Sequence, residues 1–125
     1  MNDPGPQVVV VYDDDREAEM IVHALRAEGY RVCRARDSLD GLIAVEQIAP
    51  AVIVLKWEMP FIDGEIFTHA VRTGLAKPPP VVVCGGSRED PRREPDAGVR
   101  MWLTGPLDTA TLTRAVRSLI TSSPG

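Results

Sequence analysis

A chain of 125 residues, 44% hydrophobic and 26% charged, is sized for one domain around a single core. Its net charge of −4 offers neither the basic footprint of a nucleic-acid binder nor a polybasic membrane patch. No apolar run approaches the ~20 residues needed to span a bilayer, and no signal-peptide pattern is visible. Two cysteines, Cys33 and Cys84, fit a reducing cytoplasm and are expected on strands that are not neighbours, too far apart for a disulfide.

Residues 1–7 read as a polar, Pro- and Gly-bearing lead-in. Val8 to Val11 is a continuous β-branched run, the pattern of a strand buried on both faces. It ends at Tyr12-Asp13-Asp14-Asp15, where Asp14 and Glu17 form a capping pair for a helix carrying Ala18, Ile21, Val22 and Leu25. Gly29 stops that helix. Tyr30 to Ala35 is a more polar strand. Asp37 or Ser38 caps a second helix with Leu39, Leu42, Ile43, Val45 and Ile48, closed by Pro50. Val52 to Leu55 is a third strand, followed after Gly64 by a helix with Ile66, Phe67, Ala70 and Val71 on one face. Pro78 to Pro80 stiffens the link to a fourth strand, Val81 to Cys84.

Residues 85–96 read GGSREDPRREPD. No large apolar residue is present, so a helix would have no face to bury, and Pro91 and Pro95 would interrupt it. A loop or loose turns are expected where the alternation calls for a helix. Val99 to Leu103 is a fifth strand, Gly105-Pro106 a turn, and Asp108 or Thr109 caps a last helix. On it Leu112, Ala115, Val116, Leu119 and Ile120 share one face. The domain is expected over residues 8–121, with 122–125 a flexible tail or linker stub. Alternating strands and helices with short connections predict a flavodoxin-like, doubly wound five-stranded parallel sheet, order 2-1-3-4-5, with its fourth helix degraded or missing.

The chain is organised around Val52-Ile53-Val54-Leu55-Lys56-Trp57-Glu58-Met59-Pro60-Phe61-Ile62-Asp63-Gly64. A buried strand surfaces at its C-terminal end into a turn, and that edge of an open α/β sheet is where ligands and chemistry sit. Lys56 stands there.

With these elements in place, the sequence resembles a receiver domain of bacterial two-component response regulators over about Val8 to Ile120. Met59-Pro60 with Asp63-Gly64 carries the resemblance most specifically. Gly29-Tyr30, Asp37, Pro50, Gly98 and Pro106 fall at the matching intervals. The resemblance implies phosphorylation of an Asp ending strand three, and Mg²⁺ held by it with an acidic pair after strand one. It also implies a Thr or Ser ending strand four, a Lys before the Pro after strand five, and an aromatic on strand five that moves with the switch.

This chain departs from that pattern at most chemical positions. An ungapped count back from Gly29 puts the acidic pair at Tyr12 and Asp13. A shift of one residue gives Asp13 and Asp14 but shortens the first helix. The acceptor position is Lys56, the hydroxyl position Cys84 and the Lys position Gly105; Trp102 keeps the aromatic. The degenerate phosphorylation pocket is therefore Tyr12, Asp13, Asp14, Lys56, Glu58, Cys84 and Gly105. Lys56 is expected to pair with Asp13, with Asp14 or Glu58 as further acceptors, so that Mg²⁺ binding is lost and no cofactor is needed.

Blander readings compete. Lys56 fits a solvated strand end, Asp13 to Asp15 a capping cluster, and Cys84 a small buried hydrophobe. His23 and His69 are isolated, Gly85-Gly86 lacks the helix of a phosphate loop, and Arg88, Arg92 and Arg93 sit among acids. Gly105-Pro106 matches a position where the family carries a cis peptide. The reading that results is a cytoplasmic pseudo-receiver, not an enzyme, acting by phosphorylation-independent protein contacts. Its expected face is Trp102, Pro106, Leu107 and Leu112, used toward a protein partner or a second copy, not toward nucleic acid or membrane. The alternative is a sensor of a small anion or metabolite in the pocket around Lys56.

Overall fold

A computed structural model of the chain describes residues 5–58, 64–85 and 99–122. The order is β1 (Gln7–Val11), α1 (Asp15–Ala27), β2 (Arg31–Ala35), α2 (Ser38–Ile48), β3 (Val52–Lys56), α3 (Gly64–Gly74), β4 (Val81–Cys84), β5 (Val99–Leu103) and α4 (Thr109–Ser122). The five strands form one parallel sheet, β2-β1-β3-β4-β5. Both faces of β1 and β3 are covered, which is why their sequences are unbroken apolar runs rather than alternations. Alternate residues feed two cores. Val8, Val10, Val52 and Val54 join Ile21, Leu25, Leu112 and Val116 of α1 and α4. Val9, Val11, Ile53 and Leu55 join Val45, Phe67 and Val71 of α2 and α3.

Three helix starts are fixed by short acidic side chains that accept otherwise unbonded amides. Asp14 Oδ1 accepts from Glu17 N, and Asp37 Oδ1 from Asp40 N, both at 2.8 Å. Asp108 Oδ1 accepts from Ala110 N and Thr111 N. Within α2, Gly41 lets the helix approach the sheet: a Cβ there would stand 2.8 Å from a methyl of Val11 and 3.0 Å from the Phe67 ring. Between β4 and β5 the register slips, with Val81 opposite Val99 but Val82 opposite Met101, so Arg100 is an extra residue on β5. That is a bulge.

Several expectations need correction. Leu39, Ile43 and Ile66 are exposed, at 60%, 46% and 54%, although their spacing counted them as core. α2 is apolar around most of its circumference, and it can turn only one side to the sheet. The expected lead-in is already structured at its end: Gln7 opens β1, and the carbonyls of Gly5 and Pro6 accept from Arg31. The last helix includes Ser122, which was expected in the tail. Gly105-Pro106 is not cis; Gly105 makes the turn instead through its positive φ of 87°. Cys33 and Cys84 are free thiols on β2 and β4, strands separated by two others. The loop expected over 85–96 lies, after Gly85, outside the described residues.

Candidate functional site

Backbone bonds run on past the C-terminal ends of the strands and tie β1 to β2, β3 to β4 and β4 to β5. Tyr12 N donates to Ala35 O, Trp57 N to Cys84 O and Gly85 N to Leu103 O, at 3.1, 3.0 and 3.0 Å. Side chains leaving the sheet at these positions therefore meet over one edge. Lys56, the last residue of β3, sends its Nζ to within 3.0 Å of Asp13 Oδ1. Both side chains are about 30% exposed, so the pair is partly shielded from water. Tyr12 lies alongside, its ring centroid 6.0 Å from Nζ, at the outer range of a cation–π contact.

Tyr12 is buried and reaches toward Cys84 at the end of β4. Burial pushes its phenol above the usual tyrosine range, with the Cys84 thiol beside it adding to the rise. Burial likewise pushes the Cys84 thiol up to about 11, against a lowering by the Tyr12 hydroxyl. Such a thiol is a packed neutral group, not a nucleophile.

Arg34, on β2, holds the β1–α1 turn from the other side. Its Nε and Nη2 donate to the Tyr12 carbonyl at 3.1 and 2.8 Å, and its Nη1 donates to Asp15 at 2.7 Å. The guanidinium holds the Asp15 carboxyl below the usual range. Two cations thus grip one turn, Arg34 at Tyr12 and Asp15, Lys56 at Asp13.

A cleft of about 870 Å³ opens over this edge. Of the residues expected in the pocket, Tyr12, Asp14, Lys56, Cys84 and Gly105 line it, and Asp13 adjoins it through Lys56. Glu58 is exposed two residues past the strand, and the ion pair described for Lys56 is with Asp13. Trp102, Pro106 and Leu107, expected on a separate interaction face, line the same cleft. Leu112 does not belong to that face: it is 1% exposed and packs in the α1/α4 core, because it opens the apolar stripe of α4.

Arg34, Trp57, Arg16 and Met20 were not singled out by the sequence. Trp57 is fully buried and meets Trp102 edge-on, ring centroids 4.6 Å apart. Arg34 acts across 22 residues, a distance at which sequence carries no local signature. Among the described residues, no group of three or more His, Cys, Asp or Glu is placed to hold a metal ion. No helix there is long and apolar enough to cross a membrane.

Residues 8–117 match the family model of the response regulator receiver domain. The transcriptional regulatory protein PrrA of Mycobacterium tuberculosis is 31% identical over 117 residues, covering 93% of this chain and 50% of that protein. The DNA-binding dual master transcriptional regulator RpaA of Synechocystis is 26% identical over 92% of this chain and 49% of its own length. The chain thus spans about half the length of these regulators. The receiver domain of Francisella response regulator 1452 superposes with a TM-score of 0.84 at 26% identity, covering 94% of this chain and 98% of that one. The chemotaxis protein CheY4 of Vibrio cholerae gives 0.82 at 26% identity, over 92% and 98%.

Proposed function

The chain belongs to the response regulator receiver domain family, and from that premise we propose that it is a pseudo-receiver, signalling through protein contacts that do not depend on phosphorylation. The observation that carries this is the Lys56–Asp13 ion pair at 3.0 Å on the C-terminal edge of β3. A carboxylate there could form an acyl phosphate. An ammonium has no lone pair with which to attack phosphorus.

The donor set also disagrees with Mg²⁺, which asks for near-octahedral oxygens at about 2.0–2.1 Å. Asp13 faces the Lys56 ammonium, Asp14 Oδ1 is committed to the amide of Glu17, and Tyr12 is buried where a further carboxylate would stand. The residues do not fit the ion, and no step runs through it. Charge balance is internal: Lys56 takes the place of the metal and its phosphoryl group. The contact surface follows from the cleft rim at Trp102, Pro106 and Leu107, with a protein partner or a second copy as occupant. The free thiols of Cys33 and Cys84 support a reducing, cytoplasmic setting.

The test is incubation with acetyl phosphate and Mg²⁺, read by intact mass, together with a beryllofluoride titration followed through Trp57 and Trp102. No adduct and no saturable fluorescence change are expected; a saturable, Mg²⁺-dependent change would overturn the reading. The volume of the cleft beside Lys56 and Arg16 favours a second reading, a sensor of a small anion. A thermal-shift series with inorganic phosphate, sulfate and carboxylates checks it, a concentration-dependent rise in midpoint being the positive result.

A further inference from the structure

The charged side chains on the described lining of the sheet-edge cleft are Asp14, Arg16, Glu17, Lys56 and Asp108. Most are committed within the protein. Lys56 is paired with Asp13. Asp14 Oδ1 accepts from the amide of Glu17. Asp108 accepts from the Thr111 hydroxyl and from the amides of Thr111 and Ala110. Arg16 and Glu17 remain. Among the described residues neither side chain is engaged in an ion pair or a hydrogen bond. Successive residues of a helix point about 100° apart and do not face each other, so these two charges stay separate although both line the cleft.

Their depths differ. The Glu17 carboxylate is close enough to the buried Tyr12 and Cys84 to add to the rise that burial imposes on both, which sets it toward the floor. Arg16 is exposed and belongs to the rim. The other lining is apolar: Met20 from α1, Trp102 from β5, and Pro106 and Leu107 from the connection to α4. Met20 is 46% exposed and Trp102 and Leu107 are half-buried, so each has surface left to cover. An inorganic anion would answer Arg16 alone. It would leave the Glu17 carboxylate without a cation and the apolar wall wet.

We infer that the cleft binds a zwitterionic α-amino acid with an aromatic or large aliphatic side chain, its carboxylate on Arg16, its ammonium on Glu17 and its side chain against Met20, Trp102 and Leu107. The inference rests on the reading of the cleft as a sensor pocket and narrows the ligand of that sensor. A guanidinium fork matches a carboxylate, an indole face takes a ring or a branched chain, and the cleft, at about 870 Å³, is within the range of small-molecule sites. Trp102 also meets Trp57 edge-on, so a side chain packed on it is reported by indole fluorescence.

The probes are phenylalanine, phenylpropionate, which lacks the ammonium, and phenethylamine, which lacks the carboxylate. Each is titrated into the full chain and followed by amide chemical shifts and indole fluorescence. Saturable shifts are expected on the first turns of α1 and on the β5–α4 connection, with phenylalanine about tenfold tighter than either analogue, since each lost contact is a charge-assisted bond. Arg16→Gln should bring phenylalanine down to the level of phenethylamine, and Glu17→Gln to the level of phenylpropionate. Glu19→Gln, on α1 but outside the cleft lining, should change neither. If Glu17→Gln fails to fold, Arg16→Gln, at an exposed position, decides the matter. Phenylpropionate binding as tightly as phenylalanine, shifts confined to other faces, or a thermal midpoint raised by phosphate or sulfate but not by phenylalanine would each overturn this ligand while leaving an anion sensor standing. No response to any of these probes would overturn both.

Discussion

The β1–α1 turn is held from two sides, and the two grips differ in kind. On the β2 side Arg34 makes three bonds with one planar group, two to the Tyr12 carbonyl and one to Asp15. On the β3 side Lys56 makes its described ion pair with Asp13 alone. A guanidinium fork fixes direction as well as distance; an ammonium on a flexible stem is a point charge. The first grip therefore acts as a structural strut. The second balances charge in a pocket and can be altered without unfolding the turn.

The largest effect that would test this contrast is on the strut. Arg34→Ala removes the two bonds to the Tyr12 carbonyl and the one to Asp15 and should cost about 3 kcal/mol, read as a lower denaturation midpoint at unchanged slope. Arg34→Lys should recover less than half of that. Recovery by Lys in full would erase the distinction between fork and point charge.

Alkaline pH comes next. The Cys84 thiol is raised from 9.0 to about 11, so the folded state holds a proton that the unfolded chain has lost. The corresponding stability is present in full below about 9 and disappears as pH rises to about 11, a loss of roughly 2–3 kcal/mol. The buried Tyr12 phenol, raised further, acts in the same direction at higher pH. Cys84→Ala should flatten the stability profile between those pH values.

Breaking the point-charge grip should cost less. Lys56→Met is expected to destabilise by about 1–2 kcal/mol, because the Asp13 carboxylate it abandons still reaches water. A double-mutant cycle with Asp13→Asn should give a coupling near 1 kcal/mol, shrinking in high salt. The smallest expected effect is none: Lys56→Asp should not take label from acetyl phosphate, since Cys84 and Gly105 still lack the hydroxyl and the ammonium. Labelling of that variant would show that Lys56 alone silences the pocket.

Much of this was legible in the chain. The β-branched runs at Val8, Val52 and Val81 marked buried parallel strands, and Asp14, Asp37 and Asp108 marked helix starts, because both signals are local. Lys56 beside Asp13 was legible once the strand order was known. The outward-facing Leu39 and Ile43 were not, since periodicity cannot choose a buried side on a helix that is apolar nearly all round; on α3 the buried side runs through Phe67 and Val71 and leaves Ile66 exposed. Leu112 was placed outside although its own stripe turns it inward. Arg34 and the Trp57–Trp102 contact depend on residues brought together from distant positions.

The inserted Arg100 has a consequence for parity. Side chains on a strand alternate between the two helix layers. Were Arg100 paired in regular register with Val82 instead of bulged out, Trp102 would fall opposite Cys84 and share its face with α1 and α4. With the bulge, the indole stands opposite Val83 and belongs to the side where Trp57 waits. Deleting Arg100 should straighten the strand and leave Trp102 opposite Val83, so any near-ultraviolet couplet from the two indoles should survive the deletion.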